Sequence, residues 1–217
     1  MGIIRKLHER VFFMIDPVTM NARKPKDDES GLAMLNRMNE RHATLHEWGL
    51  SFTAVEEPAK LLDIGFGGGQ NIKNMCELFP EAEIYGIDYS EASYKRCKEL
   101  NACEVEKGRV KLEIGSAESL PYEADTFDFI TALETVYYWP EIEECFKSVC
   151  RVMKEGGSFL VCDEDSSREG NEAIAEALSM NFYTADDLGK LLLSAGFKTV
   201  KTETHENGHW VCAVAVK

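Results

Sequence analysis

Four stretches of the chain set reactive side chains at spacings that suggest chemistry. In Leu61-Leu62-Asp63-Ile64-Gly65-Phe66-Gly67-Gly68-Gly69, an acid at the end of an apolar run is followed by four glycines within five positions. Glycines there let the backbone turn sharply and approach a ligand closely. The free N–H groups at the start of the helix that follows can hold a carboxylate or a phosphate. His42 and His46, four apart on a predicted helix, share a face and could begin a zinc site or serve in a pocket as proton carriers. No third ligand is evident, so no metal is expected. Glu134-Thr135-Val136-Tyr137-Tyr138-Trp139 could build an apolar pocket or an aromatic cage for a cation, or pack as ordinary core. Asp163-Glu164-Asp165 offers oxygen ligands but reads as a solvated acidic loop.

The elements that position these groups follow from periodicity. Helix-like spacing runs over 3–15 and again over 31–48, where Leu35, Met38, His42 and Leu45 share a face and Gly49 is the stop signal. Residues 21–30 are polar and expected to be mobile. From residue 59 strands and helices alternate. Strands are predicted at 60–65, 83–89, 109–114, 127–133 and 158–163, with helices at 69–79, 91–104, 140–153, 171–181 and 184–195. Two last strands, 199–205 and 209–216, are joined through Asn207-Gly208, a hairpin signal. Five β-α units argue for an open, mostly parallel sheet with helices on both faces, and the hairpin adds an antiparallel member. The chain reads as one domain, 1–217, in which residues 1–50 form a helical cap over the mouth of a core at 59–217. In such sheets ligands bind beyond the carboxyl ends of the strands, where the glycine turn lies.

Composition excludes several classes. The chain of 217 residues has a net charge of −14, which repels nucleic acid and anionic membranes and favours a small-molecule partner. Its seven cysteines form no C-x-x-C pair, so they read as small buried thiols of a reducing, cytoplasmic setting. No apolar run approaches membrane-spanning length. A monomer or homodimer is expected.

The glycine turn narrows the ligand. A dinucleotide fingerprint starting at Gly65 needs a glycine where Gln70 stands, and one starting at Gly67 needs it where Ile72 stands. No Gly-Lys-Ser/Thr follows, so the turn is not a P-loop. What remains is Asp-x-Gly-x-Gly-x-Gly. LLDIGFGGG, IYGIDYS, GSAESLPYEADTFDFI, RVMKEGGSFLV and YTADDLGKLLLSAGF follow one another in an order and spacing that resembles the class I S-adenosylmethionine-dependent methyltransferases, particularly the small-molecule type 11 group. The departures are Phe66 for a small residue, Ser116 for an acid, Tyr122 for Phe and Glu155 for Pro.

The resemblance implies a Rossmann-like, doubly wound, mostly parallel seven-stranded sheet. It also implies methyl transfer from S-adenosylmethionine, with S-adenosylhomocysteine as product (EC 2.1.1.-). Gly65, Phe66, Gly67 and Gly69 would pass under the methionine half of the cofactor. Asp63 would hold its ammonium, directly or through water, and Asp88 would accept the ribose hydroxyls. Tyr89 would pack beside the adenine and Ala117 would offer its N–H, flanked by Ser116 and Glu118. Leu133 would line the sulfur. Glu134, Tyr138 and His42 are the candidate bases, needed only if the acceptor arrives protonated. A non-catalytic cofactor-binding protein on the same fold, and a nicotinamide oxidoreductase, are the rival readings.

Overall fold

The structure, a computed structural model, describes residues 22–167 and 169–217. The helix predicted at 3–15, and so part of the expected cap, lies outside the described residues. The seven strands are β1 (Lys60–Ile64), β2 (Glu83–Asp88), β3 (Val110–Ile114), β4 (Phe127–Leu133), β5 (Met153–Asp163), β6 (Thr199–Thr204) and β7 (Val211–Val216). They form one sheet in the order β3-β2-β1-β4-β5-β7-β6. β3 to β5 pair in parallel, and β7 runs antiparallel between β5 and β6. β1 and β4 lie side by side, with Asp63 in register with Thr131. Chain order reverses there, so the loops after β1 and β4 open onto a shared crevice.

The helices are α1 (Glu29–Arg41), α2 (Ala43–Leu50), α3 (Gln70–Leu78), α4 (Glu91–Leu100), α5 (Ala102–Glu106), α6 (Ile142–Val152), α7 (Glu172–Leu178) and α8 (Ala185–Ser194). Two apolar clusters cover the sheet. Phe146 and Val149 of α6 pack with Leu188 and Leu192 of α8 in one, and Leu45 of α2 with Ile72 and Met75 of α3 in the other. Helices on both faces leave the central strands buried on both sides, which is why β1 and β4 read as nearly continuous apolar runs. Among the described residues no helix is long and apolar enough to cross a membrane.

Several boundaries depart from expectation for identifiable reasons. The predicted 31–48 helix begins earlier, capped by the Asp28 carboxylate, and is two helices that meet at His42. Glu29 and Ser30 are therefore helical rather than part of a polar loop. The 91–104 helix breaks at Asn101, whose side-chain amide donates to the Gly69 and Cys97 carbonyls. The 140–153 helix starts only at Ile142, because Glu141 takes a left-handed conformation after Pro140. β5 starts at Met153, where Phe127 supplies a ladder partner. Cys103 is exposed, unlike the buried thiols expected.

Candidate functional site

The glycine turn leaves β1 at the crevice. Asp63 is 2% exposed at its end. One carboxylate oxygen accepts from Asn71 Nδ2 at 2.9 Å and Thr131 Oγ1 at 2.7 Å. The other is buried with no hydrogen-bond partner. Burial raises its pKa to about 6 against the lowering effect of those two bonds. A buried carboxylate with an unused oxygen suits a cationic partner. Gly65 and Gly67 both have positive φ, 79° and 49°. Among the described residues a Cβ built on Gly67 would meet only Met38 Cε, at 3.9 Å, and they leave space above the turn.

Asp88 ends β2. Its Oδ2 accepts from the Gly67 N–H and its Oδ1 from the Ser90 N–H, each at 2.9 Å. One acid thus ties the glycine turn to the start of α4 and keeps a spare lone pair on each oxygen. Burial raises its pKa to about 6. Beside it lies a cavity of about 220 Å³ whose walls include Gly65, Tyr89, Ser116, Ala117, Glu118 and Tyr138. The cavity therefore brings together most of the residues assigned to adenosine from sequence. Tyr89 is 40% exposed and Ala117 is buried. Ser116 caps the short 3₁₀ turn at Ala117–Ser119 by accepting from the Glu118 N–H.

A second cleft is lined by Asp63, Gly65, Phe66, Gly67, Leu133 and Glu134 on the sheet side and by Met38, Asn39, His42 and His46 on the helical side. Asn39 Nδ2 donates to the Gly68 carbonyl at 3.1 Å, fastening α1 to the turn. Gly69 lines neither space. It is the N-cap of α3, and a Cβ there would fall 2.7 Å from Cys97 Sγ.

Of the three candidate bases, the structure brings two together. His42 Nε2 lies 3.3 Å from Glu134 Oε2, and Tyr137 OH donates to the same oxygen at 3.2 Å. The Glu164 N–H donates to Glu134 Oε1. Glu134 holds a left-handed φ of 56°, a strained conformation for a residue with a Cβ. Burial pushes the Glu134 carboxyl well up and the His42 imidazole down to about 3, so both groups favour their neutral forms. Tyr138 stands apart, between the adenosine-side cavity and a third space lined by Arg37, Arg41, His42, Glu134, Tyr137 and several apolar side chains of the α7 region.

One open reading is decided and one expectation is corrected. Of the alternatives open for the aromatic run, ordinary packing describes Tyr137 and Trp139. Tyr137 is buried, and Trp139 packs on Phe146 at 5.9 Å while donating to Thr135 Oγ1. The acidic run is not a solvated loop: Asp163 is 3% exposed, and Glu164 and Asp165 are partly covered. Sequence reasoning missed Asn71 and Thr131 as the partners of Asp63, although Thr131 was visible as the polar residue among Phe129, Ile130 and Ala132. Nothing in the sequence marked Arg37, Arg41 or Glu164 as neighbours of Glu134.

A family model described as a methyltransferase domain matches residues 56–208. An uncharacterised methyltransferase of Bacillus subtilis is 27% identical over 184 residues, covering 83% of this chain and 95% of that protein. The erythromycin 3''-O-methyltransferase of Saccharopolyspora erythraea is 31% identical over 165 residues, covering 69% of this chain but only 54% of that protein; the chain spans about half the length of that relative. Among solved structures, a Haloferax volcanii methyltransferase in complex with the Trm112 methyltransferase activator has a TM-score of 0.77 at 16% identity, over 85% of this chain and 93% of that one. A Haemonchus contortus phosphoethanolamine N-methyltransferase with S-adenosylhomocysteine has a TM-score of 0.68 at 15% identity, over 82% of this chain and 53% of that one. These two likenesses show the fold. With its family match, parallel sheet and glycine turn, the chain belongs to the class I S-adenosylmethionine-dependent methyltransferases.

Proposed function

We propose that the chain transfers a methyl group to a small-molecule acceptor held between α1, the loop after β4 and the α7 region. One observation carries this reading: the three spaces adjoin in series. Gly65 lines both the cavity at Asp88 and the cleft at Asp63, while Met38, His42 and Glu134 line both that cleft and the third space. A donor lying along the first two presents its methionine end beside His42 and Glu134, where the third begins.

Bound S-adenosylmethionine supplies a methyl group activated by a positively charged sulfur. The chain's own residues hold and align. Asp88 accepts the ribose hydroxyls on its spare lone pairs. Tyr89 flanks the adenine, which Ala117 meets with its N–H between Ser116 and Glu118. Asp63 receives the ammonium on its unused oxygen, directly or through water. Gly65, Phe66 and Gly67 bring the backbone under the methionine, Gly69 fixes the start of α3, and Leu133 lines the sulfur. In-line displacement needs alignment and exclusion of water more than acid–base help. His42, Glu134 and Tyr138 are the polar groups placed to touch the acceptor. The largely apolar third space, the net charge of −14 and a relative named for erythromycin support a small acceptor over a nucleic acid.

Thermal unfolding with three ligands tests the donor. At about 100 times its dissociation constant, S-adenosylhomocysteine adds about 2.7 kcal/mol, a rise of roughly 5–10 °C for a domain of this size. S-adenosylmethionine behaves alike and NAD does nothing. If neither sulfur ligand raises the melting temperature, the reading is wrong. Binding without transfer of labelled methyl to any small-molecule extract would instead favour a non-catalytic binding protein.

The two raised carboxyl pKa values set a pH dependence. Asp63 and Asp88 both titrate near 6 rather than 3.8. Folding favours their protonated forms, so their contribution to stability falls as pH rises from about 4 to about 6. Ligand binding has the opposite sign, because the ammonium and the ribose hydroxyls prefer ionised acids. Calorimetric affinity for S-adenosylhomocysteine therefore weakens from pH 7 to pH 5, by up to about tenfold for each carboxylate. An affinity flat across that range removes both acids from the contact.

A further inference from the structure

His42, Glu134 and Glu164 converge from the α1–α2 joint, the loop after β4 and the loop after β5. His42 Nε2 is 3.3 Å from Glu134 Oε2 and 3.9 Å from Glu164 Oε2, and one donor atom from each residue lies within 4.8 Å of the others. The His42–Glu134 contact and the hydrogen bonds from Tyr137 and Glu164 account for Glu134 but leave the surroundings unexplained. His46 is buried with both ring nitrogens unpartnered and lines the same cleft as His42 and Glu134. Asp163, next in chain to Glu164, is buried with Oδ1 unpartnered. Arg41, half exposed, meets this group of carboxylates through Glu164 Oε2 at 2.7 Å. Two carboxylates and one imidazole gathered at one place, with His46 and Asp163 Oδ1 buried and unpartnered beside them, form a donor set in want of a cation.

We propose that this cluster is a divalent-cation site at the mouth of the acceptor space, with His42 Nε2 and the carboxylates of Glu134 and Glu164 as ligands. The backbone N–H of Glu164 and the hydroxyl of Tyr137 already orient the Glu134 carboxylate, as hydrogen bonds around metal ligands do. Arg41 binds the same Glu164 oxygen that lies 3.9 Å from His42 Nε2, so the arginine and the ion share that carboxylate. One imidazole with two carboxylates suits a first-row divalent ion such as Mn²⁺ or Zn²⁺ over Mg²⁺ or Ca²⁺, which prefer oxygen alone. With three protein ligands the ion keeps open positions. His42 and Glu134 line the acceptor space, so an oxygen ligand, a hydroxyl or carboxylate of the acceptor, fills one of them. That last point rests on the methyl-transfer reading; binding of the ion does not.

The full chain, stripped of metal and without cofactor, is titrated with Mn²⁺, and the free ion is followed by its paramagnetic resonance. Mn²⁺ is the probe because, as a hard ion, it has little affinity for the free thiols. The expected result is saturable binding of one ion per chain. His42→Ala and Glu164→Gln each weaken it at least about tenfold, and Asp186→Asn, on the exposed face of α8, leaves it unchanged. Glu164→Gln is nearly isosteric at a partly exposed position, so it keeps the test open if His42→Ala misfolds. No saturable binding overturns the site, and full-strength binding in a folded His42→Ala or Glu164→Gln variant overturns the ligand assignment. S-adenosylhomocysteine binding on the same sample separates the two readings. A competent cofactor site that ignores Mn²⁺ defeats the metal proposal alone.

Discussion

The Gly67→Val variant folds but does not bind S-adenosylhomocysteine. The argument rests on where a side chain would go. Gly67 has φ 49°, and among the described residues its Cβ would meet no atom closer than Met38 Cε at 3.9 Å. Little in the protein opposes the side chain itself. The cost to folding is the left-handed backbone of a β-branched residue, about 1–2 kcal/mol. The isopropyl group then stands in the cleft between the turn and α1, where the reading above places the methionine half of the donor. Gly65 makes the contrast. A Cβ there would fall 2.3 Å from Thr135 Oγ1, so Gly65→Val damages the crevice itself and reports on packing rather than on the ligand. Gly108, with φ 75° and nothing within 4 Å among the described residues, shares the strain without the site. Calorimetry and thermal unfolding of the Gly67 and Gly108 valine variants separate strain from occlusion. Normal binding in a folded Gly67→Val protein would take the donor out of this cleft.

Asp88→Ala weakens S-adenosylhomocysteine binding at least tenfold. Hydrogen bonds from ribose hydroxyls to a charged acceptor account for roughly 1.5–3 kcal/mol. A second loss follows from the Gly67 N–H bond, because without the carboxylate the glycine turn is no longer tied to the end of β2. The effect on stability is smaller than the loss of two bonds suggests. Removing a carboxylate whose burial opposes its charge offsets the unpaired Gly67 and Ser90 amides. The signature is therefore a large change in affinity beside a modest change in melting temperature. Unchanged affinity by calorimetry would falsify the ribose assignment.

Much of the fold was legible in the sequence because its signals are local. Period-two and period-3.6 patterns located every strand of the sheet, and Thr184, a residue type that favours helix starts, is the N-cap of α8, where the structure adds a capping box with Asp187. The turn at Gly65–Gly69 was legible too, since a backbone that must take positive φ leaves glycine as its mark. Where tertiary partners compete with local preference, the boundaries moved. Asn101 breaks a helix that periodicity would have continued, because its amide serves the Gly69 carbonyl across the core. β5 extends back to Met153 because β4 offers it a ladder.

The sequence by itself determined the sheet, the turn and the acids that end β1 and β2, since each is written within a few neighbouring residues. Only the tertiary structure decided what surrounds Glu134. His42, Tyr137 and Glu164 reach it from three elements, and no periodicity relates their positions along the chain. Their meeting depends on β4 lying beside β5 and on the α1–α2 joint folding over both. Burial then does what composition could not foretell. It turns acids that read as a solvated run into partly or wholly desolvated groups whose charge must be answered by a proton, an arginine or an ion.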